Sequence, residues 1–410
     1  MKSSLVYILT FTPSFVNNEI DALRNKGINV KVIMLGQPEQ PGQKGWSYIC
    51  GGIYDQINIP DQNKLFKRLF IFTSNLINIF LKAKEKDILS VFKMIFYSCY
   101  SKSLALYHVR RALDVCRTIV KSGPYRIHSH FAWGNAFVAA YTAQLLGIPF
   151  SLTVHADDIF GLSEKEEREL RWLLSRADKV ITISNFNKTY LVDKGICAEE
   201  KIEVIHCGIS LHKFLLDDHA YQEGLFRIVT VPSGFVEKKG LDLLLKAVQD
   251  LIKHYANIEL IIVGRQCDKR KKYENEIIDT GIASIVKFTG AIPQKDLAEL
   301  YKNCHAFVLP CIVDSKGKMD GIPVSLMEAM AVGIPVVSTE ISGIPELIEH
   351  EKEGLLAKPR DVVSLYTQLR RLIGEANRSI LLTKAARLKI ELEFNIEVIA
   401  QKLIASLALR

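Results

Sequence analysis

The chain has 410 residues, 48% of them hydrophobic and 24% charged, with a formal net charge of +8. That length exceeds one ordinary core and predicts two domains, and the composition is that of a folded globular protein rather than a disordered one. Eight cysteines are scattered without a C-x-x-C pair, which excludes the common zinc and disulfide frameworks and fits thiols kept reduced in a cytoplasmic protein.

The opening S-L-V-Y-I-L-T reads as a buried strand over Ser4–Thr10, not as a charged leader followed by a long apolar run. A helix around Asn17–Asn25 and a strand over Val30–Leu35 follow. Ser14 and Asn17 suit a capped helix start. Residues 36–60, with Gly and Pro throughout, read as a loop, and 61–121 as two or three basic, apolar-striped helices. Residues 61–125 hold twelve Lys/Arg against four Asp/Glu, the whole of the net positive charge. These charges interleave with Phe66, Leu69, Phe70, Phe72, Phe80 and Leu81. The mixture suits an anionic membrane surface; a solvated basic face over core helices accounts for it equally. No nucleic-acid motif accompanies the charge, so no nucleic-acid partner is expected. The apolar-rich run from Leu69 to Leu81 is too short to span a bilayer.

Next come a strand over Arg126–His130, a helix over Asn135–Leu146 and a strand over Pro149–Val154. The last runs into T-V-H-A-D-D-I-F. This places His155 at the carboxyl end of a parallel strand, where open α/β sheets bind ligands. His130 ends the preceding strand and would line the same crevice, whereas His128 reads as structural. A strand over Lys179–Ser184 and a further helix precede K-I-E-V-I-H-C-G-I-S-L-H-K-F.

The alternation then restarts. Strands are expected near Phe226–Val231, Glu259–Val263, Ile285–Thr289, Ala306–Leu309, Pro335–Val337 and Leu355–Ala357. Helices fall around Asp242–Tyr255, Lys272–Asp279, Gln294–Asn303, Val324–Ala331, 361–375 and 378–408. Such alternation implies parallel sheets with right-handed crossovers. The expected division is a first domain over 1–205, a linker over 206–225, a second domain over 226–375 and terminal helices over 376–410.

Within the second half, D-G-I-P-V-S-L-M-E-A-M-A starts with Asp320 and a glycine and then enters a helix. Pro323 suits the first helical position, where its missing N–H costs nothing. Gly321 lets the backbone approach a ligand closely. Unpaired N–H groups at the helix start make a ready site for a diphosphate. Glu328 follows on the same helix, and a carboxylate accepts hydrogen bonds from sugar hydroxyls.

This segment, with the following V-G-I-P-V-V-S-T, resembles the carboxylate-x7-Glu region of family 4 glycosyltransferases, retaining enzymes of the GT-B fold, and in particular their bacterial exopolysaccharide (colanic acid-type) members. The family usually has Glu where this chain has Asp320. T-V-H-A-D-D is similar to the family's T-x-H-[GA]-x-D. The segment ending the first domain resembles K-I-x-V-I-x-N-G-I-D, with Cys207 for Asn and Ser210 for Asp. S-G-F-V-E-K-K-G is similar to G-R-x-x-x-K-K-G, with Gly234 at the Arg position.

The resemblance implies an α/β GT-B architecture: two Rossmann-like doubly wound domains, an interdomain cleft, and a last helix returning to the first domain. It implies transfer of a hexose from a UDP- or GDP-sugar to a lipid-linked or polysaccharide acceptor, by a cytoplasmic enzyme held peripherally on the inner face of the plasma membrane. Lys239 and the helix start at Gly321, Ile322, Pro323 and Val324 would take the diphosphate. Glu328 would bind the ribose and Asp320 the donor sugar. His155 would contact the hexose and shield the developing cation. Ser14, Asn17 and His130 would face the acceptor. Arg265, beside Gly264, is expected to supply the cation missing at Gly234. No Asp pair has D-x-D spacing, so neither a metal nor a cofactor is expected. Two alternatives remain: a nucleotide-sugar epimerase of similar architecture, and a non-catalytic nucleotide-sugar-binding subunit.

Overall fold

The computed structural model of the chain describes residues 4–35, 104–216, 224–232 and 234–409. The expected loop over 36–60 and most of the basic, apolar-striped helices over 61–121 lie outside the described residues. The chain divides into two compact units, one of Met1–Thr182, Leu191–Val204 and Lys402–Arg410, the other of Ile183–Tyr190 and Ile205–Gln401.

The first unit is built on six parallel strands: β1 (Ser4–Leu9), β2 (Val30–Met34), β3 (Pro124–His130), β4 (Phe150–Val154), β5 (Lys179–Thr182) and β6 (Ile202–Val204). Their order is β2-β1-β3-β4-β5-β6. All six residues of β1 and all five of β4 are buried, which is why these strands read as continuous apolar runs rather than alternating ones. Strand order reverses between β1 and β3. At such a reversal the loops leaving the two strands diverge and open a crevice at their carboxyl ends.

The second unit repeats the plan with β7 (Phe226–Thr230), β8 (Ile258–Val263), β9 (Val286–Gly290), β10 (Ala306–Leu309), β11 (Val336–Thr339) and β12 (Leu355–Ala357), in the order β12-β11-β10-β7-β8-β9. Here the reversal falls between β7 and β10. Side-chain alternation sorts the core onto two faces. Val229, Phe307 and Leu309 join Leu326, Met327 and Met330 on one. Ile228, Ala306 and Val308 join the helices Leu241–Leu251 and Val362–Gly374 on the other.

Three local readings are corrected. The first helix begins at Ser14, earlier than Asn17, with Pro13 before it and no side-chain cap; Asn17 instead donates from Nδ2 to the Thr12 carbonyl at 3.2 Å. Pro323 is not the first helical residue. Its ψ of 124° is extended, so it precedes a helix running Val324–Val332. The expected single helix over 378–408 is broken. A π turn at Ile390–Phe394 separates Ala376–Lys389 from Ile396–Ser406. There Ile209 bridges Asn395, exchanging hydrogen bonds with the backbone of Phe394 and Ile396 at 2.9 Å each, which pulls Phe394 fully into the core.

Candidate functional site

In the second unit, the loops leaving β7 and β10 meet at the point where strand order reverses. After β7 the chain makes a short 3-10 turn over Glu237–Lys239, then Gly240 at φ 65°. A Cβ on Gly240 would lie 1.8 Å from the Pro310 carbonyl oxygen, so only glycine lets this loop approach the one after β10. The Ile312 N–H donates to the Lys238 carbonyl at 2.9 Å and ties the loops together.

This packing brings both lysines onto Asp320. Lys239 Nζ lies 2.5 Å from Oδ2 and Lys238 Nζ 3.1 Å from Oδ1, with side chains only 9%, 12% and 13% exposed for Lys239, Lys238 and Asp320. The Cys311 thiol also reaches Asp320 Oδ2, at 3.6 Å. Burial alone would raise the Asp320 carboxyl, but the two ammonium groups outweigh it and hold the group below its ordinary value. Gly321, Ile322 and Pro323 then lead from Asp320 into the helix Val324–Val332, whose first N–H groups have no intrahelical acceptor.

Glu328 sits inside that helix, and every residue from Leu326 to Val332 is buried. Each apolar side chain so buried contributes roughly 1.5–3 kcal/mol, enough together to hold one carboxyl out of water. Gln294 Nε2 donates to Glu328 Oε1 at 2.9 Å, engaging one of its two oxygens. Burial pushes the carboxyl up to about 7; the Gln294 bond and Lys213 oppose the shift only in part. Tyr301, fully buried beside it, has its hydroxyl pushed up by burial and then by Glu328.

Gly234 has φ 123° and Phe235 φ 51°. An arginine at 234 would be forced into a backbone conformation that L side chains rarely adopt. Phe235 is buried, and a Cβ on Gly264 would lie 2.4 Å from its ring, so Gly264 is a packing glycine under that ring. Arg265 is exposed. The buried arginine of this segment is Arg270, whose Nη1 donates to the Gly264 carbonyl at 3.1 Å and whose Nε donates to Glu274 at 2.8 Å. Glu346 accepts from the N–H groups of Asn185 and Phe186 at 2.9 Å each and so caps the helix Asn185–Asp193.

In the first unit a hydrogen-bonded chain crosses the reversal between β1 and β3. The Tyr7 hydroxyl donates to Glu19 Oε1 at 2.6 Å. His130 Nε2 meets the same oxygen at 2.9 Å, and His130 Nδ1 lies 3.2 Å from His155 Nε2. Burial would raise the Glu19 carboxyl, yet His130 and the Tyr7 hydroxyl hold it below its ordinary value. Burial drives His155 well below the usual imidazole range, and His130 adds to the effect. A charged Glu19 requires a proton on His130 Nε2. In a neutral ring this leaves Nδ1 to accept from His155 Nε2–H, so one carboxylate sets both tautomers. The backbone N–H of His155 donates to Asp158 Oδ2 at 2.8 Å. Its ring stacks on Phe131, centroids 4.3 Å apart, and lies 5.2 Å from Phe15. Phe131 has φ 66°, a left-handed conformation that marks local strain beside the histidines.

Ser14 is exposed at the head of the first helix. His128 is structural in its contacts: Nδ1 lies 2.8 Å from Ser151 Oγ and Nε2 3.2 Å from Thr153 Oγ1. Glu19, His128 and His130 bring donor atoms within 4.8 Å of one another, a spacing open to a metal. All of these donors already have protein partners, which a metal would have to displace.

Sequence reasoning passed over Lys238, Gln294 and Tyr7, and gave Glu19 no role in the site. Lys238 was legible as the first lysine of K-K-G. Gln294 carried no signal, because it reaches Glu328 only through the packing of two helices.

Two family models match the chain: Glycosyltransferase Family 4 over residues 14–213 and Glycosyl transferases group 1 over 221–389. The amylovoran biosynthesis glycosyltransferase AmsK of Erwinia amylovora is 37% identical over 233 residues, which are 57% of this chain and 56% of that protein. The chain thus spans little more than half of that relative's length. The putative colanic acid biosynthesis glycosyltransferase WcaL of Escherichia coli (strain K12) is 32% identical over 287 residues, 68% of this chain and 70% of that protein. Among solved structures, Anabaena Alr3699/HepE in complex with UDP superposes with a TM-score of 0.70 at 18% identity, covering 100% of both chains. Sucrose-phosphate synthase from Thermosynechococcus elongatus does so with a TM-score of 0.71 at 18% identity, covering 99% of this chain and 98% of that one. With two parallel six-stranded sheets the protein has the GT-B fold, and the chain belongs to glycosyltransferase family 4.

Proposed function

We propose that the protein is a retaining glycosyltransferase that moves a hexose from a UDP- or GDP-sugar to a lipid-linked saccharide in the synthesis of a bacterial surface polysaccharide. The observation that carries this reading is the pair of lysines on Asp320, at the strand reversal of the second unit and beside the start of the helix that bears Glu328. The names of AmsK and WcaL supply the polysaccharide context, and HepE was solved with UDP and with UDP-glucose.

Glycosyl transfer builds positive charge on the sugar and negative charge on the departing diphosphate. Fixed cations and N–H groups aimed at that diphosphate are the largest catalytic term such a site offers. Lys239 and the helix start at Val324 take this role, Glu328 accepts from the ribose, and Asp320 faces the donor sugar. In the first unit, His155 is assigned to the donor hexose and Ser14, Asn17 and His130 to the acceptor. The protein cations neutralise the leaving group without a divalent metal.

Among the described residues no helix is long and apolar enough to cross a membrane. Attachment is assigned to the basic segment 61–125, which would hold the enzyme on the inner face of the plasma membrane.

The test is to incubate the purified protein with a panel of UDP- and GDP-sugars and a lipid-linked acceptor fraction, and to read the product anomer by NMR. A glycosylated lipid that keeps the donor's anomeric configuration is expected. Donor isomerisation without transfer, or binding without turnover, would overturn the reading.

A further inference from the structure

The first helix, Ser14–Asn25, brings the Glu19 carboxylate between Tyr7 of β1 and His130 at the end of β3. Both partners are buried, and both reach one oxygen, Oε1, at 2.6 Å and 2.9 Å. Burial opposes a charge on Glu19, yet His130 and Tyr7 hold its carboxyl below the ordinary value, so an ionised group accepts both bonds. Support of the fold alone does not call for this arrangement. An apolar group of similar volume in place of a buried ionic contact is often neutral or stabilising.

The second nitrogen of His130 carries the effect onward. His130 Nδ1 lies 3.2 Å from His155 Nε2, and the two rings stack with centroids 5.5 Å apart. Phe131 also stacks on the His155 ring, at 4.3 Å, and takes φ 66° to do so, a strain that persists only where the surroundings impose it. Stacking holds the plane of the His155 ring but does not choose which nitrogen carries the proton. That choice falls to Glu19. Its carboxylate can only accept, so His130 Nε2 must donate. A neutral His130 then offers a bare Nδ1, and His155 must place its own proton on Nε2.

We infer that Glu19 is a positioning residue for His155: by holding His130 in one tautomer it holds the His155 proton on Nε2. This rests on the glycosyltransferase reading, in which His155 meets the donor hexose. Positive charge grows on that hexose in the transition state, and a ring held in this form sets no second positive charge against it. Glu19 acts through His130, not by contact with the sugar. Positioning differs from support of the fold in what turnover follows: kcat should track the tautomers and not the melting temperature.

The experiment uses the full chain labelled with 15N-histidine. Imidazole nitrogen shifts at pH 8 read the tautomers of His130 and His155, assigned by the signals lost in His130→Gln and His155→Gln. Transfer from the donor to the lipid-linked acceptor fraction gives kcat and donor KM, and melting temperatures are measured alongside. Three variants separate the contributions. Glu19→Met removes the acceptor, Glu19→Gln keeps an acceptor oxygen, and Tyr7→Phe removes the other donor to Glu19. In the wild type both histidines should carry their proton on Nε2. Glu19→Met should release both tautomers and lower kcat about tenfold or more, with donor KM changing less. Glu19→Gln and Tyr7→Phe should melt below the wild type yet keep its tautomers and hold kcat within a few-fold. A wild-type spectrum with either proton on Nδ1 would overturn the inference, and that result needs no variant to fold. So would Glu19→Met with unchanged tautomers, changed tautomers with kcat intact, or a kcat that follows melting temperature across the three variants. The expected tautomers in a wild type that transfers no sugar would instead sink the glycosyl-transfer reading.

Discussion

Glu328→Gln is expected to make the protein more stable and a poorer binder, with a pH dependence that identifies the cause. The wild-type carboxyl is raised from 4.5 to about 7. Because the folded value lies above the unfolded one, the folded chain holds this proton more tightly. The resulting stability is fully present below 4.5 and is lost as pH rises through about 7. Each tenfold gain in proton affinity corresponds to ~1.4 kcal/mol. Relative to a neutral side chain, the Glu328 carboxyl therefore costs the fold about 3 kcal/mol at pH 8 and only about 1 kcal/mol at pH 5. Glutamine is neutral throughout, fills nearly the same volume, and still accepts from Gln294 through its amide oxygen. The variant should thus melt above wild type by ~6–10 °C at pH 8 and by ~2–3 °C at pH 5.

Nucleotide-sugar affinity should move the other way. The neutral amide loses a charge-assisted bond to a hydroxyl, about 1.5–3 kcal/mol. For the same reason wild-type affinity should rise between pH 6 and 8 as the carboxylate forms. Differential scanning fluorimetry and calorimetry at the two pH values read both effects. A stability gap that does not change with pH would refute the burial argument, and unchanged donor affinity would refute the ribose assignment.

Four further outcomes are expected. Glu19→Gln should destabilise the first unit by about 1.5–3 kcal/mol at pH 7, because the charge-assisted bonds from His130 and Tyr7 weaken. Since the Glu19 carboxyl is depressed, that gap should close as pH falls through the folded value, below 4.5; a constant gap in denaturant melts from pH 7 to pH 3 would contradict it. His155→Ala should lower kcat more than donor affinity, and a kcat preserved within a few-fold would make His155 purely structural. Gly234→Arg should cost about 1–3 kcal/mol through its backbone conformation without tightening nucleoside diphosphate binding; a gain in affinity would show that the site lacks a second cation. The segment 61–125 should hold the protein on anionic vesicles at low salt and release it at high salt, and failure to co-sediment with anionic vesicles at low salt would favour the solvated-face reading.

The sheets were legible largely because β1, β4, β8, β10, β11 and β12 are buried on both faces. Ala306–Leu309 and Leu355–Ala357 appear in the sequence with the bounds they have in the structure, since uninterrupted apolar runs between turn residues leave little room for another period. The helix Glu164–Arg176 was missed although Ser163 and Glu166 form a reciprocal cap, a signal visible as S-E-K-E. The break at Ile390–Phe394 was not legible, because its cause is a pairing with Ile209, far away in sequence. The site divides in the same way. Asp320, Glu328 and Lys239 stand in motifs, whereas the charge states of those groups follow from neighbours that the motifs do not contain.

Asp320 and Glu328 lie eight residues apart on one segment and are pushed in opposite directions. Both are buried, so burial alone would raise both. Lys238 and Lys239 reverse the outcome at Asp320, while Glu328, inside an apolar helix with an amide as its direct partner, keeps the shift. Two carboxylates whose surroundings drive them apart are suited to different tasks. Asp320 stays charged across the neutral range and fixes cations. Glu328 sits near its midpoint at neutral pH, where a hydroxyl that donates to it favours the charged form. Binding of a ribose should therefore release part of a proton from Glu328, and calorimetry at pH 7 in buffers of different ionisation enthalpy should show it. A donor that binds with no proton release at pH 7 would place the ribose elsewhere, even if Glu328 proves essential for some other reason.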